Sequence, residues 1–152
     1  MPADSQGSRA ELREAAVRLL ARREHSRREL AAKLARRRWP AGSVTEVLDE
    51  LAAEGLQSDL RFAESYARQR AEKNYGPVHI RAELSERGID WELIAGVMDA
   101  LEVDWSGSAA AWYERRYGTR PPSDIGEKAR RVQALSRRGF AHEHIRGLIP
   151  GF

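Results

Sequence analysis

The chain has 152 residues, 41% of them hydrophobic and 32% charged, with a net charge of +3 and no cysteine. That balance is too apolar for a wholly disordered chain, and no run of about eighteen apolar residues offers a membrane span. Without cysteine there is no disulfide and no thiolate metal site, and MPADSQGSRAELREAA lacks the basic segment and apolar stretch of a secretory signal. A cytoplasmic protein without membrane association is expected.

Period-two alternation is missing and the 3.6-residue period recurs throughout, so an all-α fold is expected. Residues 1–9 read as a flexible N-terminus. Leu12, Ala15, Ala16, Leu19 and Leu20 then form the stripe of a first helix. Ser26 with Glu29 predicts a capping box, in which the hydroxyl takes one orphan amide and the carboxylate another. The helix it opens carries Leu30 and Leu34 inward. Pro40, Ala41 and Gly42 interrupt the pattern. Ser43 with Glu46 predicts a second box ahead of Val44, Val47, Leu48 and Leu51, and Gly55 suits a left-handed helix end.

The same layout returns twice. Phe62, Ala63 and Tyr66 lie on one helix; Pro77 suits the first position of the next, which carries Ile80 and Leu84 and ends at Gly88. Asp90 is placed to cap a helix bearing Ile94, Val97, Met98 and Leu101. A third copy starts near Ser108 with Ala109, Trp112 and Tyr113. Pro121 and Pro122 stiffen the connector, Asp124 with Glu127 caps the following helix, Gly139 ends it, and a short last helix bears Ile145, Leu148 and Ile149.

Aligning Leu34, Leu84 and Leu135 sets shifts of 50 and then 51 residues. Five further apolar columns follow: Trp39, Ile89, Phe140; Val44, Ile94, Ile145; Val47, Val97, Leu148; Leu48, Met98, Ile149; and Leu51, Leu101, Phe152. Such a period marks a repeat array whose units stack because each alone has too little core. The expected architecture is an elongated array of three tandem three-helix repeats, at 10–57, 58–104 and 105–152. Arg131 stands where Leu30 and Ile80 stand in the other copies, and a small rotation would bring Val132 inward instead.

Charge is unevenly spread. Residues 9–38 hold eleven basic residues against four acids, residues 43–66 six acids against one Arg, and residues 115–146 nine basic residues against three acids. This order suits a partner with its own charge pattern or nucleic acid, or simply solvated helices.

No phosphate-cradling loop and no nucleophile elbow is present, so no enzymatic activity and no cofactor are expected. His142 and His144 are two apart and do not share a helix face as metal ligands would; His25, His79, His142 and His144 read as solvent-facing. Arg37, Arg87 and Arg138 share one column near the end of each second helix. A cation there complements the helix dipole, and stacked repeats would also present a spaced row of guanidinium groups to carboxylates or phosphates. Around that row lie Arg27, Arg28, Lys33 and Arg36, then Arg68, Arg70, Lys73 and Arg81, then Arg130, Arg131 and Arg137. Tyr66 and Tyr75 are either core residues or ring faces open to a partner.

The stretch Asp59, Phe62, Ala63, Tyr66, Arg70, then Tyr75, Gly76, Ile80, Glu83, Leu84, Arg87, Gly88 and Ile89 resembles the core signature of the RecX family. SRRELAAKLARR and VLDELAAEGLQSD fit its first repeat, and the resemblance runs from about Glu11 to Phe152. It departs at Arg38-Trp39, where the other copies have Gly and an apolar residue. The resemblance implies three tandem three-helix repeats and a monomeric regulator that binds in the groove of the RecA recombinase filament. It further implies suppression of ATP hydrolysis, strand exchange and co-protease activity. The partner-binding set is then Arg27, Arg28, Arg36, Arg37, Arg68, Arg70, Lys73, Tyr75, Arg81, Arg87, Arg130, Arg137 and Arg138. The alternative is a stand-alone helical module binding single- or double-stranded DNA weakly and without sequence preference. Acidic third helices, with Glu46, Asp49 and Glu50 and then Glu92 and Asp99, argue against major-groove reading.

Overall fold

A computed structural model describes residues 2–37 and 39–151, with the side chains of 2–8 and 41 excepted, and contains no strand among them. Its helices are α1 Pro2–Arg22, α2 Arg27–Ala35, α3 Ala41–Ala53, α4 Asp59–Glu72, α5 Pro77–Glu86, α6 Trp91–Ala100, α7 Trp105–Tyr117, α8 Ile125–Arg138 and α9 His142–Arg146. They group as three tandem three-helix domains. The chain also divides into two compact units, residues 1–65 with 86–90, and residues 66–85 with 91–152.

Local chemistry sets most boundaries. Ser26 Oγ accepts the Glu29 amide while the Glu29 carboxylate accepts the Ser26 amide, closing the predicted box at α2. Ser58 Oγ accepts the Arg61 amide and so starts α4. Asp104 and Asp124 cap α7 and α8 by accepting from Gly107 and Glu127. Gly55, Gly88 and Gly139 all take positive φ, where a Cβ would be strained.

Several expectations are corrected. Helix α1 begins at Pro2, earlier than the stripe from Leu12 marks it. Ser43 caps nothing: α3 starts two residues earlier behind Pro40, and the Glu46 carboxylate pairs with Arg9 instead. Helix α7 starts at Trp105, because Asp104 supplies the cap three residues ahead of Gly107. Phe152 and Arg38, in the last column and the first-repeat turn, lie outside the described residues.

The columns are core positions. Leu34, Leu84 and Leu135 are 1%, 0% and 0% exposed, and Val44, Ile94 and Ile145 are buried with them. Leu12, Ala16, Leu30, Leu34, Val47, Leu48 and Leu51 make one cluster; Ala109, Leu135, Phe140, Ile145 and Ile149 make another. Each fully buried Leu or Ile contributes about 1.5–3 kcal/mol, against about 0–1 kcal/mol for an exposed ion pair, so apolar burial holds the helices and charge only orients them. Val132 stays half-buried, while Arg131, at 3% exposed, occupies the column of Leu30 and Ile80 itself.

Candidate interaction surfaces

In the first unit the acidic run answers the basic one internally. Arg9 pairs with Glu46 and Glu50, Arg13 with Glu50 at 3.5 Å and Glu54 at 2.6 Å, and Arg27 with Asp49 at 2.7 Å. Arg61 reaches Glu24 at 2.9 Å. The acids of α3 are therefore partners of α1 and α2. Asp59 Oδ1 accepts from the Arg27 amide at 2.8 Å and from Gln57 Nε2 at 3.0 Å, so the first signature residue ties the start of α4 to the start of α2.

The column arginines turn inward at two of their three positions. Arg87 Nε lies 3.9 Å from the Glu29 carboxylate, and its neighbour Gly88 faces the stem of Arg28, which an added Cβ would meet at 2.8 Å. Arg138 does more. Its Nε donates to the Asn74 carbonyl at 3.0 Å, its Nη2 donates to the Lys73 carbonyl, and its guanidinium carbon stands 3.7 Å from the centre of the Tyr75 ring. The Gly76 amide donates to the Arg138 carbonyl and the Val78 amide to the Gly139 carbonyl, both at 2.9 Å. The C-terminus of α8 thereby satisfies the orphan amides at the N-terminus of α5. Arg37 is exposed.

Tyr75 is enclosed by the same contact. Its ring stacks on His79 at 4.8 Å, and Arg70 approaches it at 5.0 Å. Tyr66 donates its hydroxyl hydrogen bond to Glu83, which also pairs with Arg70 at 3.2 Å and His79 at 2.7 Å. The signature residues Tyr66, Arg70, Tyr75, Glu83 and Arg87 are thus joined to one another or to neighbouring helices. Tyr66 spends its hydroxyl on Glu83, while the Tyr75 ring packs against His79 and Arg138 and stays half-buried.

His25 is also corrected. It is 1% exposed rather than solvent-facing, with Nδ1 3.1 Å from the Arg23 carbonyl and Nε2 2.8 Å from Lys33 Nζ. Burial pushes it below its ordinary 6.5, and the positive charges of Arg23 and Lys33 act the same way.

Arg131 is the other buried ion. It donates to Tyr113 Oη and to the Arg120 carbonyl, each at 2.8 Å, and pairs with Glu127. The Ser123 hydroxyl and amide, with Arg131, hold the Glu127 carboxyl down at about 2. The three acids of the 115–146 run meet partners within their own repeat, Glu127 in this way, Asp124 as a cap and Glu143 at 3.8 Å from His144 Nε2.

Among the described residues, Arg28, Arg36, Arg37, Arg68, Lys73, Arg81, Arg130 and Arg137 are exposed and make no ion pair. Residues 115–146 add Arg115 and Arg116, which the sequence reading did not select. Arg116 and Arg137 line a cleft of about 280 Å³ with Tyr75, Trp112, Ala134 and Arg138. Arg116 lies over the Trp112 ring at 5.4 Å and Arg138 approaches that ring at 5.7 Å. The i, i+4 spacing of Trp112 and Arg116 on α7 was the available signal. The cleft has no acid in its lining, and three guanidinium groups, two of them over its aromatic rings, suit an anionic group carried on a flat or extended partner.

The RecX first, second and third three-helix domains match residues 13–51, 58–98 and 107–149 in order. The chain belongs to the RecX family. It is 50% identical over 135 residues to the regulatory protein RecX of Halorhodospira halophila, covering 89% of this chain and 84% of that one. It is 43% identical over 131 residues to the regulatory protein RecX of Stenotrophomonas maltophilia, covering 86% and 80%. A RecX crystal structure from Lactobacillus salivarius superposes with a TM-score of 0.78 at 23% identity, over 95% of this chain and 96% of that one. A second RecX crystal structure gives 0.80 at 22% identity, over 96% and 73%. These two likenesses speak to the fold. The regulatory role is that of the RecX family, and no described helix is long and apolar enough to cross a membrane.

Proposed function

We propose that this chain binds the RecA recombinase filament and restrains its ATP hydrolysis, strand exchange and co-protease activity, modulating recombinational DNA repair. Family membership across all three repeats supports the regulatory part of this reading. The partner-binding part rests on one contrast: arginines of α1 are answered by acids of α3, whereas Arg115, Arg116, Arg130 and Arg137 on α7 and α8 have no described acid partner. Guanidinium groups without an internal carboxylate are available to carboxylates of a protein surface. An array of repeats touches several filament subunits at once, so avidity would make binding depend on the assembled filament. The action is a steric clamp that hinders nucleotide-linked motion and strand entry, and it needs no catalytic group.

Of the residues singled out from sequence, the exposed Arg28, Arg36, Arg37, Arg68, Lys73, Arg81, Arg130 and Arg137 are assigned to partner contact. Arg27, Arg70, Tyr75, Arg87 and Arg138 are assigned to positioning, through the internal contacts above. The test is DNA-dependent ATP hydrolysis by the cognate recombinase with the chain titrated in. Half-inhibition should need roughly tenfold more of an Arg116→Ala/Arg137→Ala variant, equivalent to about 1.4 kcal/mol. Equal potency of variant and parent would remove the cleft from the interface.

The basic-aromatic lining of the cleft favours one second reading, a stand-alone module for single- or double-stranded DNA. Binding to naked DNA at two salt concentrations separates the two. Tight, steeply salt-dependent binding with no effect on the recombinase would promote the DNA module.

A further inference from the structure

The sequence contains three lysines, Lys33, Lys73 and Lys128, and their surroundings differ. Lys73 is exposed, and Lys128 donates to the Gly151 carbonyl at 3.0 Å. Lys33, half-buried in the last turn of α2, has its Nζ 2.8 Å from His25 Nε2. The His25 ring is fixed in one tautomer: Nδ1 lies 3.1 Å from the Arg23 carbonyl, which only accepts, so Nδ1 carries the hydrogen and Nε2 is left with its lone pair toward Lys33. At 1% exposure no water competes for that lone pair. Acting on this pair are Arg22 at the end of α1 and Arg23 just after it, Glu29 in α2 and Arg36 at its C-cap, and Gln57, which donates to the His25 carbonyl. Glu29 is the acid that acts on Lys33 among the causes named, and its carboxylate already receives Arg23 at 3.2 Å and the Ser26 amide at 3.1 Å.

We propose that Lys33 is a nucleophilic amine, selectively acylated by activated acyl donors, with His25 Nε2 as the acceptor of its proton. The uncharged Nζ donates one hydrogen to Nε2 and directs its lone pair at the acyl carbonyl carbon. The N–C bond forms, the C–O bond to the phosphoryl group of an acyl phosphate breaks, and phosphate leaves with that electron pair. The proton released from Nζ passes to Nε2 and on to the departing phosphate, leaving a neutral amide and a neutral imidazole. Desolvation, together with Arg23, Arg36 and Arg22, holds the Lys33 ammonium below its usual 10.5, which raises the reactive fraction near neutrality. Acylation would discharge a cation in the turn that ends at Arg36. The chemistry does not depend on the partner assigned above.

The experiment is incubation of the full chain with acetyl phosphate between pH 7 and 9, with occupancy of each lysine followed by peptide mass spectrometry. The expected result is initial acetylation of Lys33 at least about threefold faster than of Lys73 in the same molecule, with half-maximal reactivity at lower pH. His25→Gln should slow acetylation of Lys33 toward the rate of Lys73. Arg36→Gln changes an exposed side chain and should move the Lys33 profile to higher pH while leaving that of Lys73 in place. Equal rates at Lys33 and Lys73 in the parent chain would overturn the proposal. If His25→Gln fails to fold, an unmoved Lys33 profile in Arg36→Gln would overturn it instead.

Discussion

Gly76→Ala probes the junction between the second and third repeats, because the glycine lies against the backbone of Gly139. A Cβ at Gly76 would stand 2.2 Å from the Gly139 carbonyl carbon and oxygen and 2.4 Å from the Phe140 nitrogen. Ordinary contact needs about 3.5–4.0 Å, so the two backbones must separate by more than about 1 Å. That opening breaks the Gly76 to Arg138 and Val78 to Gly139 hydrogen bonds, both 2.9 Å, and draws Tyr75 away from the Arg138 guanidinium. Two backbone hydrogen bonds contribute about 0.5–1.5 kcal/mol each. Loss of the ring contact adds about 0.5–2 kcal/mol, for a total near 2–5 kcal/mol. For a chain of this length each kcal/mol lowers Tm by roughly 2–4 °C. Thermal unfolding followed by circular dichroism should place the variant about 5–15 °C below the parent. Gly96→Ala is the control: it lies in α6 with nothing within 4 Å of its Cβ position, and should gain about 0.5–1 kcal/mol from helix propensity. If Gly76→Ala melts within about 2 °C of Gly96→Ala, the junction does not bear on stability and the assignment of Arg138 to it is wrong.

Stability should fall as pH drops through 6.5, because neutral His25 is held below that ordinary value in the folded state and the unfolded chain binds the extra proton. The urea midpoint at pH 5.5 should therefore be lower than at pH 7.5, and His25→Gln should flatten the difference. Glu127 titrates at about 2 rather than 4.5, so its stabilisation is complete above 4.5 and lost as pH falls toward 2. Acid titration of helicity should show a shallower loss over that window in Glu127→Gln; an identical curve would contradict the Ser123 and Arg131 contacts. Arg131→Ala should cost about 3–5 kcal/mol by leaving a hole and an unanswered Glu127, whereas Arg131→Met, in a column otherwise held by Leu30 and Ile80, should recover most of that in chemical denaturation.

The helices and their buried faces were legible because they follow from short-range periodicity. Leu34, Leu84 and Leu135 repeat at matching positions, and a residue facing the core in one copy must do so in the next. Caps such as Ser26 with Glu29 were equally legible, since three residues contain the whole interaction. Ser43 with Glu46 has the same spacing, but the adjacent Pro40 started the helix first and Arg9, 37 residues away, took the carboxylate. A capping pattern states an opportunity, and tertiary neighbours decide whether it is used.

Charge was only partly legible in the sequence. The basic run at 9–38 and the acidic run at 43–66 suited either a partner or solvated helices, because net charge along a chain carries no record of which helices lie side by side. Packing put Arg9, Arg13 and Arg27 against Glu50, Glu54 and Asp49, and left Arg115, Arg116, Arg130 and Arg137 on α7 and α8 without such answers among the described residues. The column of Arg37, Arg87 and Arg138 was visible as a column, but Arg138 meets Asn74 across 64 residues, a contact no local pattern encodes. The sequence by itself determined the helical repeat, its register and the family, because those rest on local periodicity and a contiguous motif. Only the tertiary structure decided which arginines join repeats and which face outward, because a guanidinium takes the nearest available carbonyl, ring or carboxylate, and nearness is set by packing.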